Sequence, residues 1–303
     1  FLQDNVHFFS EEQLEIVLGG RVDKHSKVDN LIFSPRINVK TLFGKGWTMR
    51  GAFTTGFKAP QTFDEDLHID VLAGEQRIIR NSSDLHEEKS NSFTGGIEFQ
   101  GYVGGKAVLA AVTGFHTQMS DAFVQIPAGI YDNIQVYERI NSRGAKVRGV
   151  EFDLGFRPIS KIELRGGLTY SKSRFDSPVE YLEGVAPSKS FMRTPDVYGY
   201  SRASVDLTKD IDFFGAVNYT GPAMVPHERV GEIKESDSYL EFDAGISWEV
   251  RLSGPVKGKF SVGMKNLTNS YQKDLDSGAD RDPYYIYGPS LPRTIYFGWE
   301  TFF

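Results

Sequence analysis

Apolar and polar residues alternate with a period of two through most of this chain. Between Leu291 and Phe303, the residues Ile295, Phe297, Trp299, Thr301 and Phe303 fall on one side and Thr294, Tyr296, Gly298, Glu300 and Phe302 on the other, because successive side chains of a strand point to opposite faces. One face is apolar and aromatic; the other is mixed. The same arrangement sets Trp47, Met49, Phe53 and Phe57 against Thr48, Arg50, Thr54 and Lys58, and Leu240, Phe242, Ile246 and Trp248 against Tyr239, Glu241, Asp243 and Glu249. Ile162, Leu164, Leu168 and Tyr170 likewise oppose Glu163, Arg165, Thr169 and Ser171, whereas 106–118 reads as a nearly continuous apolar run. An ordinary hydrophobic sheet edge would explain any one of these stretches. Strands with one face in lipid would explain them all.

The pattern predicts about thirteen strands, near 1–9, 14–23, 31–42, 47–58, 91–102, 106–118, 142–156, 161–172, 196–207, 211–220, 238–250, 256–267 and 293–303. Six short turns, such as Phe43 to Gly46 and Val103 to Gly105, alternate with six longer links. The longest of these links, Ala59 to Lys89, Met119 to Asn141, Ser173 to Thr194, Gly221 to Ser236 and Thr268 to Pro292, read as connections without strands of their own. Strict alternation of short and long connections is the habit of an up-and-down barrel with unlike rims. A Greek-key sandwich has no reason to put its long links at one end. The expected fold class is therefore all-β, an antiparallel up-and-down transmembrane β-barrel.

Thirteen is odd, and bacterial single-chain barrels have even strand numbers. An open sheet of this size would also leave two unpaired edges. Residues 1–303 are accordingly expected to be the C-terminal portion of a barrel whose first strands lie upstream.

Composition narrows the alternatives. The chain has 23 Phe, 14 Tyr, 31 Gly, no Cys and a net charge of -6, with negative mean hydropathy. No run approaches the roughly 20 apolar residues of a membrane helix, yet aromatic enrichment at low hydropathy suits strands with only one lipid face. The net charge argues against a nucleic-acid partner, which would call for a basic stripe. The lack of Cys removes disulfides and thiolate metal sites. No leader pattern precedes the first strand, so any signal peptide is expected outside this sequence.

Six stretches, in order, resemble TonB-dependent outer-membrane receptors, importers of iron chelates, haem, cobalamin and similar nutrients. They are FLQDNVHF with LEIVLGGRVDKHS, GAFTTGFKAPQTFDEDL, NSSDLHEEKSNSFTGGIEF, VRGVEFDL, MKNLTNSYQ and the closing PRTIYFGWETFF. Two departures stand out: Asn81-Ser82-Ser83-Asp84-Leu85 lacks the Pro of the family's NPDL-type box, and Lys58 replaces the Arg of its FRAP-type strand exit. The resemblance implies a twenty-two-stranded barrel of which this chain holds the last thirteen strands, with nine strands and the N-terminal plug carrying the TonB box outside it. It also implies partners: outer-membrane lipid, the TonB complex acting through the plug, a scarce small-molecule nutrient, and the barrel-assembly machinery that reads the closing strand.

Candidate chemistry follows from that frame. Arg21, Arg50, Glu151, Asp153, Arg165, Asp206, Glu241, Asp243 and Glu249 are expected in the lumen, where such residues would hold a plug. The loop after Lys58 offers His68, Arg77, Arg80 and His86 for ligand contact, either His being a possible axial ligand to haem iron. In the last loop Tyr284, Tyr285 and Tyr287 suit ligand stacking or an interfacial girdle. Asp274, Asp276, Asp280 and Asp282 around Gly278 suggest calcium, although their order differs from an EF-hand loop, and a solvated acidic loop is the simpler reading. His116, Ser120 and Asp121 are the nearest approach to a hydrolase set, with nothing in the pattern to make them converge. An energy-coupled importer is the expected function; a passive porin-like or adhesin barrel is the alternative.

Overall fold

A computed structural model describes residues 1–8, 13–28, 30–60, 77–132, 134–254, 256–278, 281–282, 284–289 and 291–302. Nineteen strands are present in these residues: β1 (Leu2–Phe8), β2 (Leu14–Asp23), β3 (Ile32–Phe43), β4 (Trp47–Lys58), β5 (Arg77–Asn81), β6 (Glu88–Val103) and β7 (Lys106–Ser120). They continue with β8 (Phe123–Tyr131), β9 (Ile134–Asn141), β10 (Ala145–Ile159), β11 (Ile162–Val179), β12 (Ser188–Ser190) and β13 (Val197–Asp206). The chain ends through β14 (Ile211–Thr220), β15 (Met224–His227), β16 (Glu232–Glu235), β17 (Tyr239–Ser253), β18 (Val256–Lys265) and β19 (Thr294–Phe302).

Thirteen of them form one continuous path in chain order, β1-β2-β3-β4-β6-β7-β10-β11-β13-β14-β17-β18-β19. Every neighbouring pair on that path is antiparallel. Consecutive connections must then alternate between the two ends of the strands, which gathers the six short turns on one rim and the six long links on the other. Gly44, Gly46, Gly104 and Gly254 make the short rim possible, since each has positive φ that side chains with a Cβ rarely adopt.

Directly opposed residues of an antiparallel pair point to the same face, so the register assigns every side chain. One face carries Leu18, Phe33, Trp47, Phe93, Phe152, Leu168, Leu240, Trp248 and Phe297, all exposed, Phe297 at 71 %. The buried apolar residues of the described chain are few, and Val28, Ile32 and Ala59 with Phe57 form a small cluster at the long-link rim. The greasy surface is therefore not sealed under a second layer. All three Trp residues of the sequence lie on it toward the short-turn rim: Trp47 tilts against Phe99 at 5.1 Å between ring centroids, and Trp248, Phe260 and Trp299 stand side by side across β17, β18 and β19. Aromatic residues gathered at one level are the girdle of a membrane interface.

Four of the long links differ from their sequence reading, while 268–292 holds no strand among its described residues. Rather than strand-free connections, those four hold β5, β8, β9, β12, β15 and β16, and β11 runs on to Val179. β8 and β9 form a hairpin, β5 joins β9 in parallel, and β15 pairs with β16. These elements were illegible because β8 contains Pro127 and Gly129, β16 is EIKE and β12 is SKS, none with an apolar alternation to read.

Candidate ligand-binding rim

The long-link rim carries two folded lobes. In the first, the three-stranded sheet of β5, β9 and β8 buries its own Val124, Val136 and Tyr137. Arg139 is only 4 % exposed, and its Nη1 donates to Asn81 Oδ1 at 3.1 Å. The Ser82 amide donates to the Arg139 carbonyl, and Leu85 N closes a turn on Ser82 O. Asn141 then clamps the end of that turn: its Oδ1 accepts from His86 N at 2.9 Å, while Nδ2 donates to the carbonyls of His86 (3.0 Å) and Asp121 (2.7 Å). The degenerate box Asn81 to Leu85 is thus a docked turn.

Of the residues expected to touch ligand in this lobe, Arg80 is exposed with its guanidinium 5.7 Å from the Tyr131 ring centroid, and Tyr131 is itself 64 % exposed. His86 is exposed, with its Nε2 3.5 Å from Asp121 and its Nδ1 3.1 Å from the carbonyl of Asp84. Arg77 opens β5 opposite Gln135. His68 lies outside the described residues.

The second lobe joins the β15–β16 hairpin to the last loop. His227 stacks on Tyr285 with centroids 3.8 Å apart and planes at 8°. Its Nε2 is 3.0 Å from Asp276 Oδ2, which also accepts from Asp282 N at 3.0 Å. Asp274 accepts from Tyr285 (2.8 Å), Tyr287 (2.6 Å) and the Lys234 ammonium. Burial pushes Asp274 up, but the ammonium and the two phenols outweigh it and hold the carboxyl well below the usual range. Hydrogen bonding to the same carboxylate raises Lys234. Asp276 is held low by the backbone amide of Asp282 and by His227.

Asp282 completes the joint, taking Glu228 N and Tyr284 N at 2.8 Å each. These carboxylates are therefore spoken for by protein donors, and among the described residues no three His, Asp or Glu side chains are grouped to hold a metal ion; Asp280 lies outside the described residues. Tyr285 is 1 % exposed and packs the loop from within, Tyr287 is half-buried over Asp274, and the carbonyl of Tyr284 accepts from Arg193. His227, Lys234, Arg139 and Asn141 escaped the sequence reading.

The nine charged residues expected in the lumen all fall on the face opposite the exposed apolar belt. The register connects them: Arg50 lies opposite Gly96, Glu151 opposite Thr113, Asp153 opposite Ala111, Arg165 opposite Arg202 and Glu241 opposite Asn218. Arg50 pairs with Glu98 at 3.1 Å, Arg165 with Glu163, Glu249 with Lys257, Arg21 with Asp23, and Asp243 accepts from Asn266 N at 2.7 Å. Asp206 faces Asp212 across β13 and β14.

The sequence model of the TonB dependent receptor-like β-barrel matches residues 1–267. The chain belongs to this family. A relative, the iron-regulated outer membrane virulence protein of Vibrio cholerae, is 26 % identical over 259 residues, which cover 81 % of this chain and 37 % of that protein. Among solved structures, a mutant of the ferric enterobactin receptor PfeA from Pseudomonas aeruginosa superposes with a TM-score of 0.70 at 20 % identity, covering 99 % of this chain and 43 % of the other. The siderophore receptor PirA from Acinetobacter baumannii gives 0.67 at 20 % identity, covering 99 % and 44 %. The chain thus spans well under half the length of the receptors it matches. Membership makes it part of the β-barrel of an outer-membrane receptor. In this receptor barrel His116 and Ser120 both stand on the apolar face, and Asp121 lies beyond the end of β7.

Proposed function

We propose that this chain is the C-terminal barrel portion of a receptor that captures a ferric siderophore at the long-link rim and imports it by TonB-coupled gating of an N-terminal plug. Arg80 carries the reading. It presents a cation beside the exposed Tyr131 ring on a sheet held rigid by Arg139 and Asn141, a surface suited to an anionic, aromatic iron chelate. The names of the relatives, one iron-regulated and two siderophore receptors, point the same way. The paired charges on the polar face would then form the water-filled contact with a plug, where modest rearrangement opens a path.

The test is growth of a receptor-deletion strain carrying the full-length receptor, with catecholate and hydroxamate iron chelates, haem and cobalamin supplied in parallel. Arg80→Ala with Tyr131→Ala is expected to raise the half-maximal concentration of one iron chelate at least tenfold while leaving receptor abundance unchanged. Uptake that persists in a TonB-deficient strain would favour a passive pore. Haem-dependent growth lost on substitution of His68 or His86 would move the ligand to haem.

A further inference from the structure

The apolar belt ends abruptly on β7, β10 and β11. Residues directly opposed across β6, β7, β10 and β11 form rows, and Ile97, Val112, Phe152 and Leu168 make one of them. Nearer the long-link rim follows a row of Gly95, Gly114, Val150 and Tyr170. The next row is Phe93, His116, Arg148 and Lys172, and the one after it Asn91, Gln118, Lys146 and Arg174. Four cations and a histidine on three adjacent strands therefore look outward from the barrel, one strand step above acyl-facing residues.

Two of these cations are satisfied. Lys146 pairs with Asp176 at 2.9 Å, and Arg174 reaches Asp196 at 3.8 Å. Arg148 and Lys172 stand directly opposite each other, both exposed, and among the described residues neither has an ion pair or hydrogen bond; Lys172 lies 5.9 Å from the Tyr170 ring. Like charges in directly opposed positions weaken a strand pair, and cations beside hydrocarbon are costly unless an anion meets them. A phosphate between the two relieves both penalties, Arg taking it bidentately and Lys as a point charge. Below them, Ile97, Ala110, Val112, Phe152, Leu154 and Leu168 line an apolar depression, which begins about 14 Å and ends about 20 Å along the strands from Arg148 at a rise of ~3.4 Å per residue. In the row between, Gly95 and Gly114 keep β6 and β7 shallow, while Val150 and Tyr170 stand directly below Arg148 and Lys172.

We infer that this surface binds a phosphate-bearing glycolipid of the outer leaflet, its phosphate held by Arg148 and Lys172 and its acyl chains lying in the depression. The site depends on the barrel being in the outer membrane and not on which nutrient is imported, so failure of the siderophore reading leaves it standing. The test uses the full-length receptor, delipidated in detergent and titrated with bisphosphorylated lipid A, with the same lipid after removal of its phosphates, and with inorganic phosphate. Phosphorylated lipid A is expected to raise the unfolding temperature of the native receptor and to bind at least tenfold more tightly than the dephosphorylated form, inorganic phosphate having no effect at equal concentration. Arg148→Gln with Lys172→Gln should abolish that increment while leaving the unfolding temperature of the lipid-free protein equal or higher, since a repulsion has been removed. Arg148→Lys should retain part of the binding. Equal binding of the two lipids, an equal increment in the double variant, or saturation by inorganic phosphate alone would overturn the site.

Discussion

The hydroxyl of Tyr296 lies 2.5 Å from the point where a Cβ on Gly263 would stand, and 2.9 Å from that of Gly245. Gly245, Gly263 and Tyr296 are directly opposed across β17, β18 and β19, so the ring lies over two glycines on the polar face of the closing hairpin. A side chain at Gly263 has to displace the ring or part the strands.

Gly263→Val is accordingly expected to destabilise the closing strand by about 1–3 kcal/mol, the usual cost of overpacking. The readout is the temperature at which full-length receptor loses its folded band on unboiled gels. Gly51→Ala is the control, because the nearest atom to its added Cβ is 4.0 Å away; it should leave that temperature unchanged.

Asp274 ties Lys234, Tyr285 and Tyr287 into one lobe, and its titration sets the pH range of that joint. A carboxyl whose folded pKa is depressed contributes stability above its unfolded value, about 3.9, and loses that contribution as pH falls through the lower folded value. Lys234, raised in the fold, contributes below about 10.4 and loses it as pH climbs through the higher folded value. Loop 266–289 is therefore expected to resist protease undiminished between about pH 4 and 10. Asp274→Asn should expose it at neutral pH, with cleavage at least several times faster and the barrel itself intact.

The barrel was legible because only a strand with one face in lipid places Phe297 and Trp299, or Phe152 and Leu154, at alternate positions without a partner layer. Glu151 and Asp153 take their face, opposite that of Phe152 and Leu154, from parity alone. The lobes were not legible, because their cohesion comes from single polar anchors. Nothing in the local pattern around Arg139 says that it will be buried against Asn81, and the run Tyr284, Tyr285, Tyr287 suggested ligand stacking or a girdle, while the hydroxyls of Tyr285 and Tyr287 donate to Asp274.

Asn141 gives the first lobe a separate test. Its amide makes three hydrogen bonds that join β9 to the Asn81–His86 turn and to Asp121. Asn141→Ala leaves those backbone groups unpaired, at about 1–3 kcal/mol for a part-buried group. Hydrogen exchange followed by mass spectrometry should show residues 82–86 and 121–123 exchanging about tenfold or more faster, with β10 and β11 unchanged. A matching loss throughout the barrel would show that the lobe and the sheet unfold as one unit.

Phe297 distinguishes lipid from any other covering of the apolar face. It is 71 % exposed on β19, level with Val262 and Ile246 and two residues from the Trp248–Phe260–Trp299 row. In water, Phe297→Arg would be harmless or helpful to an isolated sheet. In a bilayer, a cation at that depth costs about 2–4 kcal/mol near the midplane and less toward the interface. Folded receptor recovered from outer membranes should therefore fall sharply for Phe297→Arg and hold steady for Glu300→Arg, whose side chain points to the polar face three residues on. Detergent-folded Phe297→Arg protein should lose stability specifically on transfer to bilayers of increasing acyl-chain length, because the position then moves farther from headgroup and water. Equal behaviour of the two variants would mean that the exposed aromatic face meets something other than hydrocarbon.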